Sequence, residues 1–395
     1  MAKKQEKASG LSSALDFIMD KMGKENEDIV YTPGKMRESC TSGSVILDSM
    51  TGVGGFLVKK KLVEIAAPES AGKTTLCLLS CAEAQKRGWV GVYMDVEQAF
   101  DDDYAKALGV KLDGETFAVV RPTYAEEAEK ALNYLLQKID IDYLIIDSVA
   151  AMKPESQVYA DDSTGKGQVK GLHAMFWSGF APKLQALATE YNFAVLMTNQ
   201  VRRKISMGSM FEAKAISSSG IGTGFSQDDS WITTGGEALK FYLSCRYLLD
   251  FKKQYRLEVN GKKIPFGNII QIANVKNKLA APYSKSRFLI RFRDGVGVDD
   301  IPMIFDVLKE HKFINTKGST YTLEATDFNK AIVGKGYAEF EKKLRENKED
   351  VSKLYSEVWN ELNDFGGNSE AHSELDVTDD IELEEDFTAE EDDEN

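Results

Sequence analysis

The sequence predicts an α/β protein with a mostly parallel central sheet, and three observations predict it. From Leu62 to about Ile290, apolar β-rich runs recur at Leu62–Ala66, Val90–Asp95, Phe117–Val120, Tyr143–Asp147, Ala194–Thr198, Arg246–Phe251, Ile269–Val275 and Phe288–Phe292. Helical stretches lie between the early runs, as in Tyr124–Ile139, where Ala128, Ala131, Leu132, Leu135 and Leu136 share one face. Strands apolar on both faces and alternating with helices belong to a parallel sheet covered on both sides. The last runs follow one another without helices, so that end of the sheet is expected to be antiparallel.

Taken in order, the chain begins with Leu11–Met22, which has Leu11, Leu15, Phe17, Ile18 and Met22 at helical spacing before Tyr31-Thr32-Pro33-Gly34 breaks it. This arm either docks on a neighbouring subunit or packs on its own domain. Thr41–Gly55, rich in Gly and Ser, leads to the first core strand. Glu64–Thr75 then reads E-I-A-A-P-E-S-A-G-K-T-T, a strand, a small-residue loop and the start of the apolar helix Leu76–Ala84. That arrangement makes an anion site, because free backbone N–H groups and the helix dipole both face the loop. Glu69, Ser70, Ala71, Gly72, Lys73, Thr74 and Thr75 form the expected nucleotide cradle, with Lys73 placed for terminal phosphates and the Thr74 hydroxyl for Mg²⁺. One departure stands out: Ala67 occupies the first glycine of G-x-x-x-x-G-K-[ST], and an alanine fails there only if the turn needs φ > 0.

Later strand ends supply the chemistry. Met94-Asp95-Val96-Glu97 brings Glu97 to the carboxyl edge of the sheet, where ligands bind in open α/β folds. A carboxylate there can orient a water for in-line attack on a γ-phosphate, or it can be a solvated loop acid. Tyr143–Asp147 is apolar until its last residue, so Asp147 can reach Mg²⁺ or cap the next helix. Ala194–Gln200 ends in an amide that either senses a phosphate or satisfies backbone groups. Val201-Arg202-Arg203-Lys204 and a long Gly/Ser-rich stretch, Met207–Thr234, follow at once. A loop of that length inside a compact domain is functional or disordered, and Tyr159–Gly171 is a shorter loop of the same kind.

The net charge of −14 is concentrated at one end. Glu374–Asn395 holds thirteen acids and no Lys or Arg, and removing those thirteen leaves −1 for the rest. The body is nearly neutral, so the acidic balance does not exclude a locally basic DNA surface. The tail has too few core residues to fold and is expected to be disordered. Cys40, Cys77, Cys81 and Cys245 fit neither a disulfide framework nor a metal site, and Cys77 and Cys81, one helical turn apart, read as buried packing. Three scattered histidines disfavour a His-based site. No run of about 18 apolar residues suggests a membrane span, and the polar M-A-K-K-Q-E-K start points to the cytoplasm. The expected division is an N-terminal helical arm at 1–40, an ATPase core at 41–298 with loops near 159–171 and 201–234, a small α+β unit at 299–373 carrying a long helix Tyr337–Leu362, and a tail at 374–395.

Six motifs in this order, A-P-E-S-A-G-K-T-T, M-D-V-E-Q-A-F-D, L-I-I-D-S-V-A-A, N-Q-V-R, T-T-G-G-E-A-L-K-F-Y and V-K-N-K-L-A-A-P, resemble the bacterial RecA recombinase family from about Ser42 through Phe292. The divergence would suit a phage-encoded member. The resemblance implies a RecA-type P-loop ATPase core and a protein that polymerises on single-stranded DNA, searches homologous double-stranded DNA and exchanges strands. ATP and Mg²⁺ would lie at subunit interfaces, and single-strand-binding and loader proteins are expected partners. It further implies Glu97 as catalytic base, with Lys73, Thr74 and Asp147 holding phosphate and Mg²⁺. Asp101 and Tyr104 would hold adenine, and Gln200 would sense the γ-phosphate. Lys276 and Lys278 would reach ATP on the adjacent subunit. Lys166, Lys170, Ser178, Arg202, Arg203, Lys204 and the backbone of Gly235 and Gly236 would meet DNA, Ile205 would wedge between bases, and Phe241 would couple the two sites. Met175 and Pro182 stand where the family carries DNA-facing arginines, and Lys166, Lys170 and Lys183 are the expected compensation. Phe225 and Trp231 of the lengthened second loop offer stacking faces. A hexameric helicase on the same core is the rival enzyme, opposed by L-K-F-Y and V-K-N-K-L-A-A-P. A non-hydrolysing DNA-binding mediator is the other rival, opposed by the intact Lys73, Thr74, Glu97 and Asp147 set.

Overall fold

The computed structural model describes residues 38–159, 171–203, 231–259, 262–292 and 295–363. The expected arm Leu11–Met22, most of the two long loops and the acidic tail lie outside the described residues.

The chain runs through β1 (Ser39–Cys40), α1 (Val45–Thr51), β2 (Leu57–Val58), β3 (Leu62–Ala67), α2 (Lys73–Lys86), β4 (Gly91–Asp95), α3 (Asp102–Ala107) and β5 (Phe117–Val120). There follow α4 (Ala125–Leu136), β6 (Tyr143–Asp147), α5 (Glu155–Val158), α6 (Leu172–Glu190), β7 (Ala194–Arg203), β8 (Trp231–Thr233) and α7 (Gly236–Tyr242). The rest comprises β9 (Cys245–Val259), β10 (Lys262–Asn277), β11 (Lys285–Arg291), β12 (Gly297–Asp299) and α8 (Ile301–Glu310). Last come β13 (Ile314–Lys317), β14 (Thr320–Leu323), β15 (Ile332–Lys335), α9 (Tyr337–Glu346) and α10 (Lys348–Asn363).

The main sheet has the order β12-β11-β10-β9-β3-β7-β6-β4-β5, with β8 added to the end of β7. The strands from β9 through β3, β7, β6 and β4 to β5 pair in parallel, whereas β9 to β12 succeed one another antiparallel. The division follows from the connections: parallel neighbours need helical crossovers, and among the described residues no helix lies between β9 and β12. Strand alternation sorts the core into two layers. Val63, Ile65, Ile145 and Leu196 pack on one face beneath α2. Leu62, Leu144, Ile146, Val195 and Met197 pack on the other against α4 and α6, where Leu132, Trp177 and Leu184 are buried. Cys77 and Cys81 are buried free thiols on the inner side of α2, as expected.

Two expectations need correction. β7 does not stop near Gln200: it runs to Arg203 and pairs with β8 in the register Val201↔Thr233 to Arg203↔Trp231, so the backbone of Arg202 and Arg203 is strand, not loop. The single long helix Tyr337–Leu362 is two helices joined at Asn347. The Asn347 amide donates from Nδ2 to the Lys343 carbonyl at 2.8 Å, a local side-chain bond of the kind that ends helices. The break lets Leu344 and Val351 both reach the same small core, with Phe305, Leu323 and Tyr355.

That smaller core is made by α8, α9, α10 and the three-stranded sheet β13-β14-β15. Two polar ties fasten it beside the main sheet. Arg345 forks onto Asp299 at 3.0 and 2.8 Å, a bidentate geometry. Asp300 accepts from Ser44 Oγ at 2.6 Å and the Val45 N–H at 2.8 Å, capping α1, and burial pushes its carboxyl up to about 6. No described helix is long and apolar enough to cross a membrane.

Candidate functional site

The parallel strands end on one edge, and the polar strand ends meet there. Ala67 closes β3, pairs in register with Gln200 and is fully buried. An extended residue needs no left-handed backbone, so the glycine of the usual pattern is dispensable at this position. The left-handed conformations fall later, at Ser70 (φ 59°) and Gly72 (φ 86°). A Cβ on Gly72 would displace only the tip of the Ile290 side chain, 2.2 Å away, so it is the positive φ that favours glycine there. Lys73 opens α2 and donates from Nζ to the Pro68 carbonyl at 2.8 Å and the Ala67 carbonyl at 3.3 Å. Burial lowers its pKa, opposed by the nearby carboxylates of Asp147, Glu97 and Glu69.

Asp147, ending β6, accepts hydrogen bonds from three hydroxyls: Thr74 at 2.9 Å, Tyr93 at 2.5 Å and Thr198. Ser148 donates its hydroxyl to Glu97 Oε1. The turn that carries Glu97 is pinned by Asp95, which accepts from the N–H groups of Ala99 and Phe100 at 3.0 and 3.1 Å and from Arg121 Nε at 3.0 Å. Tyr104 OH and Thr75 Oγ1 lie 2.7 Å apart in a hydrogen bond.

These groups surround a cleft of about 430 Å³ that brings together Glu69, Ser70, Gly72, Lys73, Thr74, Thr75, Glu97, Tyr104, Asp147 and Gln200. It is also lined by Asn268, Ile270, Ile290 and Phe292, from the antiparallel side of the sheet. Ala71 points into the core instead, and Asp101 caps α3 by accepting from the Tyr104 N–H at 2.9 Å. Sequence reasoning missed Ser148, Tyr93, Thr198 and the Phe292 wall. Ser148 carried a signal, since it follows Asp147 directly. The other three lie in apolar runs where alternation alone marks them as core.

Lys276 and Lys278 do not line this cleft. Lys276 donates to the Lys240 carbonyl, and Lys278 to the Phe241 carbonyl at 2.8 Å, so both hold the last turn of α7. Burial, helped by Lys278 and Arg246 nearby, lowers the Lys276 pKa to about 8. At the other end of α7, Gly235 and Gly236 have φ of 96° and 76°, and a Cβ on Gly236 would come within 2.9 Å of Ala174 Cβ. Ser178 is exposed on α6, Phe241 is 72 % exposed and Met175 67 %. Pro182 lies inside α6. Lys183, an expected compensating cation, is paired with Glu129. Lys166, Lys170, Lys204, Ile205 and Phe225 lie outside the described residues, as do the side chains of Arg202, Arg203 and Trp231.

Among the described residues no group of three or more His, Cys, Asp or Glu could hold a metal ion. The Thr74 hydroxyl and the Asp147 carboxylate form an all-oxygen pair beside open space. That pair suits a hard cation which takes one or two protein ligands and completes its shell from phosphates and water.

A sequence profile of the RecA N-terminal domain matches residues 9–297. The chain is 36 % identical over 290 residues to Protein RecA of Borrelia hermsii, covering 73 % of this chain and 74 % of that protein. Protein RecA of Thermotoga neapolitana is 33 % identical over 349 residues, 88 % of this chain and 91 % of that one. Protein RecA of Wolbachia pipientis is 32 % identical over 354 residues, with 89 % and 90 % covered. A phosphate loop, an acid at each of two neighbouring strand ends, an amide at a third and profile agreement from β1 to the start of β12 lead to one conclusion: the chain belongs to the RecA family.

Proposed function

We infer that the cleft at the carboxyl edge is where this recombinase, a DNA-dependent ATPase of homologous recombination, binds and hydrolyses ATP as it forms filaments on single-stranded DNA and exchanges strands. The observation that carries the reading is the contact set Thr74–Asp147 and Ser148–Glu97 around the head of a phosphate loop. Lys73 exchanges its two loop carbonyls for phosphate oxygens, with the carboxylates of Asp147, Glu97 and Glu69 near enough to oppose the effect of burial on its ammonium. Thr74 and Asp147 would hold Mg²⁺, which when bound neutralises charge on the β- and γ-phosphates. Ser148 occupies one oxygen of Glu97 and leaves the other to accept a proton from the attacking water. Tyr104 offers a ring face for the base, and Gln200 a side-chain amide for the γ-phosphate. Lys276 and Lys278 serve the ATP of a neighbouring protomer after leaving the α7 carbonyls. Arg202, Ser178, Gly235 and Gly236 meet DNA phosphates, so the protein reads backbone more than sequence. The protein works in the cytoplasm, with single-strand-binding and loading proteins as further partners.

The test is Glu97→Gln, assayed for ATP turnover with and without single-stranded DNA. Turnover should fall about 100-fold or more, the range of a lost general base, while ATP and DNA binding persist and filaments in negative stain stop disassembling. Wild-type turnover in that variant would remove Glu97 from the role.

A further inference from the structure

A buried hydrogen-bond chain joins the strand before the phosphate loop to the segment entering α7. Asn199, fully buried on β7, uses all four of its hydrogen-bonding positions. Its Nδ2 donates to Glu64 Oε1 at 2.7 Å and to the Thr234 carbonyl at 2.9 Å. Its Oδ1 accepts from the Gln200 N–H at 2.8 Å and from the Thr234 hydroxyl at 2.5 Å. The amide orientation follows from chemistry, since the Glu64 carboxylate can only accept. Glu64 is 1 % exposed, and its other oxygen takes Arg246 Nε at 2.6 Å, so the anchor of the chain is a buried, paired charge. A saturated amide cannot follow one partner without pulling on the others.

Gln200 lines the cleft, and Thr234 directly precedes Gly235 and Gly236. We propose that Asn199 and Thr234 are positioning residues that turn the state of the cleft at Gln200 into the placement of the Gly235–Gly236 backbone, with Glu64–Arg246 as the fixed point. The proposal rests on the reading of the cleft as the ATP site and of those glycines as DNA-facing. A displacement of Gln200 moves its N–H, and Asn199 Oδ1 follows. Nδ2 is tethered to Glu64, so the amide swings about that anchor. Thr234 holds both ends of the amide and is carried with it. Gln200 thus supplies the sensing side chain, and Asn199 the linkage to the segment that moves.

The experiment measures binding of a labelled oligo-dT strand in the presence of ADP and of ATPγS, and takes the ratio of the two affinities. Thr234→Val removes the hydroxyl and keeps the shape; Thr234→Ser keeps the hydroxyl. The coupling ratio should drop about tenfold in Thr234→Val, with affinity in ADP within about twofold of wild type, and should be preserved in Thr234→Ser. Should the valine variant melt below the assay temperature, Thr234→Ala removes the same hydroxyl without added bulk and is read in the same way. A residue that only packs would lower both affinities together, so an unchanged ratio in Thr234→Val overturns the relay. A ratio lost equally in Thr234→Ser overturns it too. Wild-type protein whose DNA affinity ignores the nucleotide overturns the proposed function, and the relay with it.

Discussion

Ala67 owes its place to the direction of its backbone. It is the last residue of a buried strand, and its methyl belongs to the core beneath α2. Restoring the glycine of the usual pattern would remove that methyl and loosen the unfolded chain, at a cost of about 1–2 kcal/mol. Ala67→Gly is therefore expected to shift the urea midpoint downward while leaving ATP turnover within about twofold, because the left-handed turns lie at Ser70 and Gly72. A faster enzyme with unchanged stability would mean that the alanine restrains the loop. Residues of this edge were legible in the sequence wherever the signal was contiguous: Lys73, Thr74, Glu97, Asp147 and Gln200 each end or follow an apolar run. The relay was not legible. Asn199 meets Glu64 across 135 positions, and Arg246 meets it across 182, distances over which periodicity carries no information.

α7 shows how one short element can serve two ends. Its first residues follow Gly235 and Gly236, the glycines proposed to face DNA, and its last carbonyls hold Lys276 and Lys278. The free protomer keeps the Lys276 pKa near 8. In the filament proposed above, a neighbour's phosphate facing the same ammonium would favour the charged form and raise that pKa again. Assembly then takes up a proton above pH 8, so filament affinity should weaken by about tenfold per pH unit above that point. Sedimentation or light scattering across pH 7 to 10 measures the slope, and Lys276→Arg, charged throughout the range, should flatten it. A slope that survives in Lys276→Arg would assign the proton to another group. Elements were read correctly from sequence where one period persisted, as in β6 and α4. They were misread where tertiary pairing decided the boundary: β8 extends β7 to Arg203, and the small core divides the expected C-terminal helix at Asn347.

For the whole molecule, the sheet divides the labour. Its parallel half presents the strand ends that form the cleft, and its antiparallel half adds a wall through Ile290 and Phe292. The small core is fastened beside that wall by Asp299–Arg345 and by Asp300 on α1. Net charge acts at this scale too. The thirteen acids of Glu374–Asn395 repel a polyanion that the nearly neutral remainder would not. Removing that segment should speed DNA association, most at low salt, where the Debye length is about 30 Å and screening is weakest. Association rates measured over a salt series check this, and an unchanged salt dependence would make the segment a partner-binding one.

The grip of Lys276 and Lys278 on α7 bears finally on when filaments begin. To reach phosphates on a neighbouring chain, as proposed above, both ammonium groups would have to let go of the carbonyls they hold at home. Each joining event thus begins with a loss that ATP contacts alone have to offset. In the function proposed above, DNA held at the opposite end of the same helix would tip that balance. Nucleation on ATP alone should be rare and growth on a strand already covered should be quick, so two lysines and seven residues of helix set a threshold for where recombination starts.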